Sequence, residues 1–246
     1  MDKKDMIYGT RAVMEALDAG KEVDKIMIQS GTKNDLIVAL LDKARQLRIP
    51  VQYVPAEKLR GLSGKNHQGV VCILSSVAYA SLDNIIDRAF SEGREPFIVL
   101  LDRITDVRNF GAIVRSAECA GADCIVIAEK GNAPITSDSM KTSAGALNHV
   151  PVCRENLKDT VRFLQERGIR VIACTEKAEK SIYEGIGSGP LAILLGSEED
   201  GISEALLRNS DVLVKIPMRG KINSLNVSVA AGIAIFEALR QRERVG

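Results

Sequence analysis

Three short clusters, each following an apolar run, hold side chains suited to gripping a polar ligand. The first is Asn109-Phe110-Gly111 with Arg115 behind it, where an amide and a guanidinium flank a glycine that lets backbone come close. The second, Gly196-Ser197-Glu198-Glu199-Asp200-Gly201, ends the run Leu191 to Leu195 in a tight strand-to-helix turn. Glu198, directly after the small pair, is placed to point into a pocket, whereas Glu199 and Asp200 read as solvated turn residues. In the third, Ile216-Pro217-Met218 leaves a strand, Arg219-Gly220-Lys221 makes a basic turn, and Ser224-Leu225-Asn226 opens a helix. Ser and Asn there cap the helix, and they also aim hydroxyl, amide and free N–H groups at one place. Each cluster alone has a purely structural reading, and for the first, a capped amphipathic helix with one exposed Arg, that reading is the simpler.

The usual nucleotide sites fail. GxxxxGK[ST] does not occur, and GIGSGP from Gly185 has Pro190 where a third glycine belongs and precedes a strand instead of following one. The stretch DRITDVRNFG after Leu101 has no glycine pair to cradle a pyrophosphate, so neither a dinucleotide dehydrogenase nor a Rossmann-type methyltransferase is supported. His67 and His149 lack a second ligand at metal spacing, so no metal site is expected. The 5 cysteines, Cys72, Cys119, Cys124, Cys153 and Cys174, contain no CxxC pair and lie in apolar stretches. They read as reduced core residues of a cytoplasmic protein. No stretch approaches the roughly 20 apolar residues of a membrane span, and MDKKDMIYGT is no leader, so neither export nor a membrane role is expected.

The elements that must position these clusters follow from apolar spacing. Over residues 1–76, Thr10 is expected to cap a helix running to Ala19. Asn34 caps a second helix with Leu36, Leu40, Ala44 and Leu47 on one face, and Pro55 starts a short third one. Strands are expected at 25–29, 51–54 and 69–74. Residues 77–94 read as a linker holding one helix capped near Ser81. From residue 95 to 246, strands at 97–101, 124–128, 170–174, 191–195 and 212–216 alternate with helices at 109–120, 156–167 and 225–242. Such alternation predicts α/β architecture, a mostly parallel sheet with helices on both faces. Open sheets of this kind bind ligands at the C-terminal ends of their strands, where all three clusters fall. The last helix is apolar nearly all round, so it is expected to be buried on several faces.

With 246 residues, 46% hydrophobic and 26% charged, the chain reads as a globular protein of two domains. Its net charge of +1 hides a mild asymmetry: 12 Lys+Arg face 9 Asp+Glu over residues 1–76, and 21 face 23 in the remainder. An RNA-contacting first domain is compatible with that excess but is not established by it.

Together the three clusters resemble the SpoU, or TrmH-type, RNA ribose 2′-O-methyltransferases of the SPOUT superfamily. Asn109-Phe110-Gly111 with Arg115 is similar to the family's N-x-G-x-x-x-R motif, and Gly196 to Gly201 to its G-x-E-x-x-G. Ile216-Pro217-Met218 followed by Ser224-Leu225-Asn226-Val227-Ser228 is similar to the third motif. Tyr8-Gly9-Thr10-Arg11-Ala12-Val13 and His67-Gln68-Gly69-Val70 resemble the ribosomal-protein-like RNA-binding domain of the RlmB-like branch, which methylates a guanosine of 23S rRNA. No motif position departs from the pattern, and Asn223 falls at a variable one. The resemblance implies a trefoil-knotted C-terminal domain, S-adenosylmethionine as cofactor, large-subunit rRNA as partner and a homodimer packed through the knotted domain. Threading through a knot would account for a final helix that is apolar all round. The resemblance also implies an acceptor site of Asn109, Arg115, Glu198, Ser224 and Asn226. The cofactor would lie on Thr175, Leu195, Gly196, Glu198, Ile216, Met218, Ser224 and Leu225, its adenine held by backbone. A guanidinium stays protonated, so Arg115 suits holding phosphate and stabilising alkoxide charge better than removing a proton. The resemblance leaves open which group takes that proton. Two other readings are weighed against it: a non-catalytic RNA-binding or ribosome-assembly factor on the same fold, which would not need the motif polar residues, and an enzyme acting on a small phosphorylated metabolite, which the missing phosphate loops disfavour.

Overall fold

A computed structural model describes residues 5–62, 67–222 and 224–243, so Asn223 and the first four residues lie outside the described ones. The chain forms two compact units, one running to Ala78 and including Pro134–Met140, the other comprising Tyr79–Ala133 and the chain from Lys141 onward.

In the first unit, β1 (Met6–Tyr8), β2 (Val23–Gln29), β3 (Val51–Val54) and β4 (Val70–Leu74) form one sheet in the order β1-β4-β2-β3. Helices α1 (Thr10–Asp18) and α2 (Asp35–Gln46) share a core with one face of it, through Val13, Leu17, Ile26, Ile28, Leu40 and Cys72. Helix α3 (Ala56–Leu62) supplies Leu59 to a second core with Met27, Val54, Val71 and Ile73. Both faces of β4 are therefore covered, which is why its sequence is apolar without alternation. Asn34 caps α2 as expected, its Oδ1 accepting from Ile37 N–H at 2.9 Å. Thr10 is not a cap: Gly9 holds that position and Thr10 is buried in the first turn. The inner face of α2 is Ile37, Leu40 and Ala44, while Leu36 and Leu47 are exposed. The two candidate stripes share Leu40 and Ala44, so only tertiary packing separates them.

In the second unit, β5 (Phe97–Asp102), β6 (Cys124–Ala128), β7 (Val152–Glu155), β8 (Arg170–Cys174), β9 (Lys180–Ser181), β10 (Leu191–Gly196) and β11 (Val212–Lys215) build a sheet ordered β7-β6-β5-β10-β8-β11-β9. Every neighbouring pair is parallel. The chain steps outward from β5 through β6 and β7, resumes at β8, and later inserts β10 between β5 and β8. Beside the strands stand α4 (Leu82–Ser91), α5 (Val107–Cys119), α6 (Ser137–Thr142), α7 (Leu157–Glu166), α8 (Ile182–Gly185), α9 (Glu204–Asn209) and α10 (Val227–Glu243), with α6 lying across the division of the chain. Leu82 and Ile86 of α4, Val161 and Leu164 of α7 and Leu206 of α9 pack with Ile98, Leu100, Val126, Val171 and Leu194 in one core. Helix α10 packs on β10 and α5.

Two expectations change here. Residues 77–94 do hold a helix, with Ser81 Oγ accepting from Asn84 N–H at 3.4 Å, but α4 belongs to the core of the second unit and is no free linker. Helix α10 is buried on several faces as expected, through Ala231, Ala234, Ile235 and Ala238, and leaves Val229 51% and Phe236 45% exposed. Cys119 is exposed; Cys72, Cys124 and Cys153 are buried as expected. Burial pushes the Cys72 thiol up to about 12, which leaves it unreactive.

Candidate active site

The outward steps of the chain and its return leave β5 and β10 side by side as the switch point of the sheet, and the C-terminal ends of β8, β10 and β11 open on a cavity of about 410 Å³. That size suits a nucleoside-bearing ligand. All eight residues expected around a cofactor line it: Thr175 beyond β8, Leu195, Gly196 and Glu198 at the end of β10, Ile216 and Met218 beyond β11, and Ser224 and Leu225 before α10. Leu195 and Thr175 are buried, whereas Met218 is 38% exposed at the rim. Cys174 also faces this cavity, and burial followed by the Glu176 charge pushes its thiol up to about 11, so it is no nucleophile at neutral pH.

Two motif glycines are explained by close packing. After Gly196 the chain doubles back: Ser197 and Gly201 exchange backbone hydrogen bonds of 3.2 and 3.0 Å, and Gly201 takes the left-handed conformation. A methyl group on Gly196 would lie 2.1 Å from the Gly201 carbonyl carbon. On α5, a Cβ at Gly111 would lie 2.2 Å from Thr142 Oγ1.

The three clusters meet at the start of α10. Asn226 Nδ2 donates to Glu198 Oε1 at 2.6 Å and to Asn109 Oδ1 at 3.1 Å. The Val227 N–H donates to the same Glu198 oxygen at 3.4 Å. Asn226 Oδ1 meanwhile caps α10, accepting from the Ser228 N–H at 3.0 Å. One amide thus fixes a helix end and ties two distant motifs together. Asn109 is not the cap of α5, contrary to expectation. Asp106 fills that position, accepting from the N–H groups of Arg108 and Asn109 at 2.7 and 3.0 Å, which leaves the Asn109 side chain available to the cluster. Asp106→Ala is expected to lower the midpoint of urea unfolding by the equivalent of about 1 kcal/mol, and Asp106→Asn to leave it nearly unchanged.

A second cavity, of about 270 Å³, adjoins the first and shares Ser197, Glu198, Glu199, Asp200 and Val227 with it; Asn109 and Asp106 also line it. Its wall includes Arg103, which sequence reasoning missed and which is paired with the residue before it. Asp102, buried at the end of β5, accepts from Ser203 N–H at 2.8 Å and from Arg103 Nε at 3.1 Å. Arg103 also reaches Asp200 at 3.1 Å and the Gly201 carbonyl at 3.2 Å, tying β5 to the Glu198 turn. A charged pair directly after an all-apolar strand is the signal that could have found it. Asp200 is exposed, as expected of a turn residue, and is also held by an ion pair.

Arg115 does not join the cluster. It lies exposed on α5 and lines neither cavity. Among the described residues, no three of His, Cys, Asp or Glu could hold a metal ion, and no helix is long and apolar enough to cross a membrane.

Comparison with known proteins falls on the same two regions. The family model described as RNA 2′-O ribose methyltransferase substrate binding matches residues 6–80. A Bacillus subtilis strain 168 protein assigned to the TrmH family of tRNA/rRNA methyltransferases, YacO, is 36% identical over 243 residues, 98% of each chain. Among solved structures, the SpoU methyltransferase AviRb of Streptomyces viridochromogenes superposes with a TM-score of 0.61 at 27% identity, covering 98% of this chain and 90% of its own. An AdoMet-bound rRNA methyltransferase of Sinorhizobium meliloti gives 0.60 at 27% identity, with 96% and 86% covered. The family model described as SpoU rRNA Methylase matches residues 96–236, which include every motif residue placed around the two cavities; the chain belongs to the SpoU family of RNA methyltransferases.

Proposed function

We propose that this protein transfers a methyl group from S-adenosylmethionine to the ribose 2′-hydroxyl of a guanosine in 23S rRNA. The observation that carries this reading is the Asn109–Asn226–Glu198 cluster, drawn from three motifs and set at the seam of two adjoining cavities. The larger cavity fits the cofactor: apolar Leu195, Ile216 and Leu225 suit an adenine, while Thr175, Glu198 and Ser224 offer polar partners to the rest. Two of the solved relatives were crystallised with AdoMet. When bound, the cofactor supplies a sulfonium methyl already activated for displacement. The protein's own residues then have to orient the acceptor ribose and stabilise charge developing on its oxygen. Asn109 and Glu198 face the second cavity and are placed to orient it, with Ser224 and Asn226 beside them. Arg115 would hold acceptor phosphate and stabilise the alkoxide. A trefoil knot accords with the late insertion of β10 between β5 and β8.

A homodimer accords with the apolar residues that α10 leaves exposed, Val229 and Phe236. The free cysteines and an RNA substrate suit a cytoplasmic location. Calorimetry with S-adenosylmethionine tests the reading most cheaply, since absence of binding would leave an RNA-binding factor. Mass mapping of rRNA from a deletion strain then tests the nucleotide: a guanosine that loses its 2′-O-methyl group is expected.

The two units divide the work in this reading. A fragment beginning at Tyr79, where the second unit starts, is expected to bind the cofactor like the whole chain and to lose most RNA affinity. Equal RNA binding by fragment and whole chain at one salt concentration would refute the division.

A further inference from the structure

The basic turn between β11 and α10 takes no part in the site described above. Ile216 and Met218 line the first cavity on one side of it, and Ser224 and Leu225 line the same cavity on the other. A chain that leaves a cavity wall at residue 218 and is back on it at residue 224 extends no further than about 10 Å away, so residues 219–222 lie at the mouth. Arg219, Lys221 and Ile222 are all exposed there, Ile222 to 76%. Neither cation has an ion pair or a side-chain hydrogen bond among the described residues.

The walls that this turn borders carry the opposite charge. Glu176, Glu198, Glu199 and Asp200 line the first cavity, and no Lys or Arg does. In the second cavity Asp106 joins three of those carboxylates, and Arg103, the one Lys or Arg in its lining, is already engaged by Asp102 and Asp200. Such walls repel a polyanion. A ribose inside an RNA strand has a phosphate on each side, so it reaches the seam of the cavities only where cations offset the carboxylates. Arg115 lines neither cavity, whereas Arg219 and Lys221 stand at the mouth with their charges uncommitted.

We propose that residues 219–222 are an RNA-contacting edge of the acceptor site, with Arg219 and Lys221 on phosphates beside the methylated ribose and Ile222 against a neighbouring base. The inference rests on the methyltransferase reading above. The Arg219 fork can take one phosphate through two N–H groups, and Lys221 acts on another as a point charge. Ile222 offers an apolar face to a base that has left its stack.

The test is single-turnover methylation of total RNA from a strain deleted for the gene, followed against RNA and salt concentration with full-length protein. Changing Arg219→Ala and Lys221→Ala together should raise the half-saturating RNA concentration about tenfold or more. The slope of log affinity on log salt should become shallower by about 1.5, the loss of two phosphate contacts. The plateau rate and the S-adenosylmethionine Kd should each stay within about twofold of wild type. Arg219→Lys with Lys221→Arg should keep the wild-type slope, and Ile222→Ser should weaken RNA binding without changing the slope. An unchanged slope in the double alanine variant would overturn the proposal. So would weakened cofactor binding, which would put the cations on the cofactor's own carboxylate, or a lower plateau rate with half-saturation unmoved. Ile222→Ser indistinguishable from wild type would overturn the part given to Ile222. A wild-type protein that binds no S-adenosylmethionine would instead remove the methyltransferase reading; filter binding of the same RNA still measures the slope, so the two failures are distinct.

Discussion

Gly196→Ala is expected to destabilise the protein by about 3 kcal/mol or more, at the upper end of what one added methyl does in a packed site. The new Cβ would lie 2.1 Å from the Gly201 carbonyl carbon, 2.2 Å from Ile202 N and 2.3 Å from the Gly201 oxygen. All three are backbone atoms, so no side chain can rotate away to make room. Nor can Gly196 retreat, because β10 is held between β5 and β8 and Gly196 itself pairs with Asp102. Relief would require opening the turn that carries Glu198, so whatever folded protein remains should also lose cofactor affinity. Urea unfolding followed by circular dichroism measures the first effect and calorimetry the second. A loss under about 1 kcal/mol with normal affinity would mean that the turn is looser than its geometry shows.

The other large effect is kinetic and falls on Arg115. Exposed on α5 and outside both cavities, it contributes little to the fold of a single chain, so Arg115→Ala should alter stability by less than about 0.5 kcal/mol. If it stabilises the acceptor during transfer, single-turnover methylation should fall about a hundredfold or more, roughly 2.7 kcal/mol, with the cofactor Kd nearly unchanged. Arg115→Lys separates charge from shape. It keeps the cation and loses the planar fork, so near-normal turnover in that variant would argue against two-point binding of phosphate. Loss of activity accompanied by a change in oligomeric state would move the effect from chemistry to the association of two copies.

The sequence by itself determined the alternation of strands and helices, because buried parallel strands must be apolar on both faces and the helices that cover them must be striped. It also determined most of the residues that gather at the site, Arg115 being the exception that stays outside both cavities. Gly196, Glu198, Ile216, Leu225 and Asn226 stand within a few residues of strand ends or a helix start, and in a parallel sheet those ends share one edge. What depends on contacts between distant segments was not legible. Asn109 read as a helix cap until Asp106 was seen to hold that place, and local spacing cannot tell two polar residues in one turn apart. The stripe of α2 starts one residue later than its spacing suggests, since only the facing strands decide between Leu36 and Ile37. Asp102 and Arg103 are an ordinary charged pair until the chain returns near Asp200 and Gly201, almost a hundred residues on, and gives them partners. The tertiary structure alone decided that α10, apolar nearly all round, leaves Val229 and Phe236 uncovered. Composition fixes how much apolar surface a helix has; the packing of the other elements fixes how much of it one chain can bury.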